Sequence, residues 1–119
     1  MHLSLDQSAL DQLRELDPDG SAGVLAQIIN AYLDDAPALI AQMQAALGAN
    51  DVRTLTRHVH SLKSTSLSLG ATRVANLARE IEMAGKSNVL DSCPALLMAL
   101  NAEYAAAQRL LKAALPVQP

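Results

Sequence analysis

The stretch VRTLTRHVHSLKSTSLSLG, running from Val52 to Gly70, reads as a single amphipathic helix. At about 100° per residue, Leu55, Val59, Leu62, Ser66 and Leu69 share a sector roughly 80° wide, which predicts the buried stripe. Asn50 or Asp51 can cap its start, and Gly70 can end it. Upstream, Gly48 to Asp51 turns the chain out of a helix that begins near Ser21. Its apolar residues are Leu25, Ile28, Ile29, Tyr32, Leu39, Met43 and Leu47. Pro37 predicts a kink there, because the stripe resumes in phase beyond it; a full break is the alternative. Further back, Ser4-Leu5-Asp6-Gln7 reads as a capping box for a short helix to about Leu16, and Asp17-Pro18-Asp19-Gly20 as a turn. Downstream, Thr72 is expected to cap a fourth helix reaching about Ala84 and closed by Gly85. Ser92 is expected to cap the last helix, with Pro94 in its first turn; its stripe is Leu96, Leu100, Tyr104, Ala107 and Leu111, and Pro116 ends it.

Composition agrees with this pattern. Half of the 119 residues are hydrophobic, yet there is no Phe, no Trp and only two Tyr. The apolar half is mostly Ala and Leu, strong helix formers, which argues against a sheet. The expected fold is all-α: an antiparallel up-and-down four-helix bundle, its core spanning about residues 21–114, with a short extra N-terminal helix, in one domain over 1–119. A net charge of −3 argues against a general nucleic-acid binder. No apolar run approaches the ~18 residues of a membrane span, and Met1 is not followed by a secretory signal. The lone Cys93 makes no internal disulfide, in keeping with a reducing, cytoplasmic setting.

The Val52–Gly70 helix also carries polar residues that its stripe does not explain. His60 points about 140° from the centre of the stripe, toward solvent. Around it project Arg53 and Arg57 before it and Lys63, Ser64 and Leu67 after it, so three cations and a histidine share one face of an acidic chain. Transfer of an anionic group to an imidazole suits this set. Imidazoles are nucleophiles at physiological pH, and phosphoryl transfer needs little beyond positioning and nearby cations. Lys63 can reach a phosphoryl group on His60. Ser64 is small enough to let another protein approach, and Leu67 gives a partner something to bury. The ring also needs an acceptor to orient it. The fourth helix has Val74, Leu77 and Ile81 as its stripe, leaving Arg79, Glu82 and Lys86 along one edge, and Glu82 is the candidate acceptor. The plainer reading is a solvated basic face on a helical adaptor that docks an acidic partner, with His60 inert.

His60-Ser61-Leu62-Lys63-Ser64-Thr65-Ser66 followed by Leu69-Gly70-Ala71 resembles the signature of histidine-containing phosphotransfer (HPt) domains: His-x-Leu-Lys-Gly-Ser, then Leu-Gly-Ala. Leu77-Ala78-Arg79-Glu80-Ile81-Glu82 is similar to the family's fourth-helix segment, and Tyr32-Leu33-Asp34-Asp35-Ala36-Pro37-Ala38-Leu39 to its Phe/Tyr-Leu-x-x-x-Pro-x-Leu pattern. Asn50-Asp51, Leu55 and Tyr104 also fall where the family has similar residues, so the resemblance spans roughly Val24 to Leu111. It implies a monomeric bundle without ATP binding, relaying phosphoryl groups between receiver (response regulator) domains downstream of a hybrid sensor histidine kinase. His60 would accept the group on the nitrogen distal to the backbone, Lys63 would assist, and Glu82 would hydrogen-bond the ring. Arg53, Arg57, Ser64, Leu67, Arg79 and Lys86 would face the receiver. The Mg²⁺ would belong to the receiver, with no metal or cofactor bound here. Ser64 departs from the pattern, since the family usually has glycine there; transfer is expected to survive, with altered partner preference. Leu67 stands where small residues are frequent. The N-terminal helix often contributes to docking in the family, which draws attention to Leu10 and Leu13.

Other constellations carry less. His58 and His60 are two apart and do not share a helix face, so a zinc pair is not expected, and His58 should pack at the edge of the core. There is no Glu-x-x-His for a di-iron bundle and no glycine-rich phosphate loop. Met43, Met83 and Met98 are at core-like spacings, Cys93 is read as buried or capping, and His2 as inert. The phosphoacceptor region of a sensor kinase needs an acidic residue after the histidine and a proline soon after; Ser61 and Thr65 supply neither.

Overall fold

The computed structural model describes residues 5–115 of the chain. Five helices follow in order: α1 (Gln7–Glu15), α2 (Val24–Gly48), α3 (Val52–Ser68), α4 (Thr72–Ser87) and α5 (Cys93–Ala114). The connections α2–α3, α3–α4 and α4–α5 are short, so consecutive helices return antiparallel, as in an up-and-down bundle. α3 is the central element: it packs most heavily on α4 and then on α2, while α5 closes against α4 and more lightly against α2. The fold is thus the all-helical bundle expected, with α1 as the extra element laid on α2.

Side chains and glycines set the turns. Asp51 caps α3 by accepting the Thr54 amide at 3.2 Å, and Asn50 takes the left-handed conformation (φ 56°) that brings the chain to it. Gly70 ends α3 with φ 76°. A methyl group at Gly70 would collide with the Asp6 carbonyl and lie 3.1 Å from Ala9 Cβ. The glycine is therefore required both for the turn and for the seating of α1, whose Asp6 amide donates to the Gly70 carbonyl at 2.6 Å.

Several boundaries differ from expectation for identifiable reasons. Ser4 lies outside the described residues, and the N-cap of α1 is Asp6, which accepts the Ser8 amide at 3.0 Å. α2 begins at Val24, not Ser21, because Asp17 accepts the amides of both Ala22 and Val24 and holds the intervening residues in a loop. α2 is continuous through Pro37, whose side chain faces solvent, so the full break does not occur. Thr72 is the first helical residue of α4 and Ala71 its cap; the Thr72 hydroxyl donates instead to the Gly70 carbonyl. Gly85 does not end α4. The helix runs on to Ser87 and closes at Asn88, in the left-handed conformation, because Gly85 serves a packing role: a methyl there would collide with Thr56 Cγ2 of α3. α5 ends at Ala114, and Pro116 lies outside the described residues.

The core takes Leu55, Val59, Leu62 and Leu69 from α3 and its C-terminal end, as the stripe predicts. From α2 it takes Leu25, Ile29, Tyr32, Ala36, Ile40, Met43 and Ala46. Alanines thus take two places in the buried line, Ala36 and Ala46, and Ile28, Leu39 and Leu47 lie at its margin. Leu77 and Leu96 are likewise marginal, with Ala75, Ala78 and Leu97 buried in their neighbourhood. Met43 is fully buried, but Met83 and Met98 are 57% and 75% exposed and do not pack in the core. Cys93 is buried. Leu10 is buried, which removes it from any docking surface, and Leu13 is partly buried against the core. Ser66 is the polar member of the stripe; its hydroxyl and that of Tyr32 pair at 2.7 Å, so neither is left unsatisfied.

Candidate functional site

The face of α4 turned to α3 is built from Ala75, Ala78, Glu82 and Gly85, three of them too small to hold the helices apart. This close approach carries Glu82 beneath the exposed side of α3. Glu82 is 6% exposed, so it is part of the buried face of α4 and not of the solvent edge where its charge suggested it would lie. A buried carboxylate needs partners, and both come from α3. Lys63 Nζ donates to Glu82 Oε1 at 2.7 Å, and His60 Nδ1 bonds Glu82 Oε2 at 2.8 Å. The hydrogen bond from Lys63 is the main influence holding the Glu82 carboxyl below its usual range; burial opposes it, while the His60 bond and the charges of Lys63 and Lys86 add to it.

This geometry fixes which ring nitrogen carries the shared proton. An ionised carboxylate accepts hydrogen bonds and cannot donate them, so the proton shared with Glu82 is carried on Nδ1. In the neutral imidazole Nε2 is then the nitrogen that carries the lone pair. The His60 side chain is 64% exposed while its partner is buried, so one side of the ring is anchored and the other meets solvent. Lys63 is only 22% exposed and its ammonium is engaged with Glu82. In the resting protein it braces the carboxylate instead of standing free beside the imidazole.

The remaining residues of the predicted site divide. Arg53, Arg57, Ser64 and Leu67 are exposed on α3, with Leu67 at 53%. Arg57 and Arg53 are near enough to Asp51 to help lower its carboxyl, although the hydrogen bonds from Thr54 are the larger influence. Lys86 is exposed and its charge reaches Glu82. Arg79 is exposed on α4 and lines a depression with Asn76, Glu80, Met83, Ser92 and Leu96, between α4 and the start of α5. His58 is half-buried at the core edge, and His2 lies outside the described residues. The sequence reading missed an apolar groove between α2 and α3, lined by Ile28, Tyr32, Leu39, Ser61, Thr65 and Leu69 among others. Its signal was present in Ile28 and Leu39, large apolar residues that pack only partly against the core. Among the described residues, no three His, Cys, Asp or Glu side chains gather where a metal ion could be held, and no helix is long and apolar enough to cross a membrane.

Residues 27–110 match the Hpt domain family. Among curated proteins, the chain is 35% identical over 81 residues to multistep phosphorelay regulator 1 of Schizosaccharomyces pombe, a match covering 68% of this chain and 28% of that protein. It is 30% identical over 98 residues to histidine-containing phosphotransfer protein 2 of Arabidopsis thaliana, covering 80% of this chain and 63% of that protein. The chain thus spans less than two thirds of the length of these relatives. Among solved structures, histidine-containing phosphotransfer protein B from Pseudomonas aeruginosa PAO1 superposes with a TM-score of 0.84 at 27% identity over 94% of both chains. A histidine-containing phosphotransfer protein from Medicago truncatula does so with a TM-score of 0.75 at 29% identity, over 92% of this chain and 72% of that one.

Proposed function

The chain belongs to the Hpt domain family, and from that membership we propose that it is a phosphocarrier of a multistep phosphorelay, with His60 as the residue that carries the phosphoryl group. The observation that supports this most is the 2.8 Å contact between His60 Nδ1 and an acceptor-only carboxylate, which leaves Nε2 unprotonated and facing solvent. The Nε2 lone pair attacks the phosphorus of an aspartyl phosphate on a receiver domain. The N–P bond forms as the P–O bond to the aspartate breaks, and the carboxylate leaves with the electron pair. No proton need move at Nε2. The ring becomes cationic while it carries the group, and the Nδ1–H···Glu82 hydrogen bond to the buried carboxylate stabilises that cation. A second receiver aspartate reverses the same step.

In this reading Glu82 and Lys63 are positioning residues. Glu82 sets the tautomer, and Lys63 keeps Glu82 ionised. Arg53, Arg57, Ser64, Leu67, Arg79 and Lys86 form the receiver-facing surface. The group comes from a receiver, directly or within a hybrid sensor histidine kinase, and the chain itself neither binds ATP nor holds the Mg²⁺, which the receiver supplies. It works in the cytoplasm. The test is incubation with a phosphorylated receiver domain. The expected result is acid-labile, alkali-stable phosphate on this chain, abolished by His60→Gln with the helical circular dichroism unchanged. Labelling that persists in His60→Gln, or no labelling by any receiver, would leave only a helical adaptor.

A further inference from the structure

The imidazole has two unlike flanks. Thr56 and Lys63 lie on the α4 side of His60, since Thr56 abuts Gly85 and Lys63 bonds Glu82. One turn of helix on either side, Arg57 and Ser64 project roughly 40–60° round α3 in the other direction. The two nitrogens of an imidazole point in nearly opposite directions. With Nδ1 turned to Glu82 on α4, Nε2 is aimed outward and toward the flank of Arg57 and Ser64. A phosphoryl group there is carried away from Lys63, whose ammonium is occupied by Glu82.

Ser64 also differs from the hydroxyl residues around it. The hydroxyls of Thr56, Ser61, Thr65 and Ser68 donate to backbone carbonyls three or four residues earlier on α3, and Ser66 pairs with Tyr32. The Ser64 hydroxyl makes no hydrogen bond among the described residues and is exposed. Arg57 is exposed as well, and its guanidinium forms no ion pair among the described residues. A hydroxyl donor without a partner and a cation outside any ion pair, among the described residues, thus stand on the one flank to which Nε2 is directed.

We propose that Ser64 Oγ–H donates a hydrogen bond to a phosphoryl oxygen carried on His60 Nε2, with the Arg57 guanidinium offsetting the charge of the same group. The inference rests on the reading of His60 as phosphoacceptor and adds the residues that hold the product. Ser64 and Arg57 touch the phosphoryl group, while Lys63 in the resting protein is bonded to Glu82. Both donors favour the dianion of the phosphoryl group over its protonated monoanion. The other charged groups nearby are Arg53 on α3, Asp51 at its start, whose charge interacts with that of Arg57, Lys63 and Glu82 at the anchored side of the ring, and Lys86 on α4; none of them is altered when Ser64 is changed.

The test needs no receiver. The full chain is phosphorylated with potassium phosphoramidate, the His60 ³¹P resonance is identified by its loss in His60→Gln, and its shift is followed with pH. Ser64→Ala and Ser64→Gly should each raise the apparent pKa of the phosphoryl group by about 0.3–1 unit, as loss of one exposed charge-assisted hydrogen bond requires. Arg57→Gln should raise it too. Ser64→Thr, which keeps the hydroxyl, and Ser68→Ala, whose hydroxyl is already bonded to the Ser64 carbonyl, should titrate like the parent. A Ser64→Ala protein that labels at His60 and titrates like the parent overturns the inference and leaves the carrier reading standing. Failure of His60 to label at all overturns both.

Discussion

Replacing Glu82 with alanine removes the only acceptor of two hydrogen bonds, and the structure sets the size of both consequences. The carboxylate is 6% exposed and bonded to Lys63 at 2.7 Å and to His60 at 2.8 Å. Breaking a buried ion pair costs ~3–5 kcal/mol when the surviving charge stays trapped. Here the survivor escapes, since Lys63 is already 22% exposed and its stem is long enough to bring the ammonium to water. Removing the carboxylate also relieves its own desolvation. The expected loss of stability is therefore only about 1–2 kcal/mol in urea unfolding. The effect on the ring is more specific. An isolated imidazole in water prefers its proton on Nε2, and the bond to Glu82 reverses that preference. A hydrogen bond to a charged group is worth ~1.5–3 kcal/mol, and solvent competition at a ring this exposed reduces it toward ~1 kcal/mol. Phosphoryl transfer from a receiver should fall about fivefold to tenfold, with ¹⁵N spectra moving His60 toward the Nε2–H tautomer. Glu82→Gln, which keeps an acceptor for Nδ1–H, should fall between. Undiminished transfer by Glu82→Ala with an unchanged tautomer would refute the reasoning, and a stability loss above ~4 kcal/mol would show that Lys63 cannot reach water.

Four further outcomes follow from the packing and the charges. Because Glu82 is held below its ordinary value of 4.5, its ionisation stabilises the fold fully above that value, and the benefit is lost as pH falls through the folded-state value. The stability difference between the parent and Glu82→Gln should thus be flat above about pH 5 and shrink in more acid solution, as equilibrium unfolding at a series of pH values will read; a difference that grows in acid contradicts the assignment. Gly85→Ala should destabilise by about 1–3 kcal/mol despite a helix-propensity gain of ~1 kcal/mol, and Thr56→Ser, which deletes the colliding methyl, should restore most of the loss in thermal melts. Ser66→Ala should cost about 1–3 kcal/mol by stranding the buried Tyr32 phenol, and adding Tyr32→Phe should cost less than the sum of the single changes in a double-mutant cycle. Burial pushes Tyr32 up to about 12, so a spectrophotometric titration should find no ionisation of this phenol in the range of an ordinary tyrosine.

The helices and the exposed position of His60 were legible because α3 is strictly periodic: every large apolar residue from Leu55 to Leu62 falls on the stripe, and the polar set is left over. What remained unread has a common cause, the packing of one helix on another. Gly85 carries the sequence signal of a stop, but the space it leaves is filled by Thr56, and no local pattern distinguishes these uses. Glu82 reads as an edge residue because a carboxylate is rarely buried alone; only the proximity of Lys63 and His60 makes its burial tolerable. Ala36 and Ala46 lie in the core of α2 where the larger Leu39 and Leu47 drew the predicted stripe, since size stood in for direction. Met83 and Met98 show the same error in reverse: their spacing suits a core, but their side chains are largely exposed.

The central claim, that the buried carboxylate of Glu82 holds the His60 proton on Nδ1 and leaves Nε2 free to react, is tested most directly by locating the phosphorus. The chain, uniformly labelled with ¹⁵N and phosphorylated by a receiver domain, should show ³¹P–¹⁵N coupling to Nε2 of His60, with a protonated Nδ1 still bonded to Glu82. Phosphorus on Nδ1, or on any other residue, would contradict it.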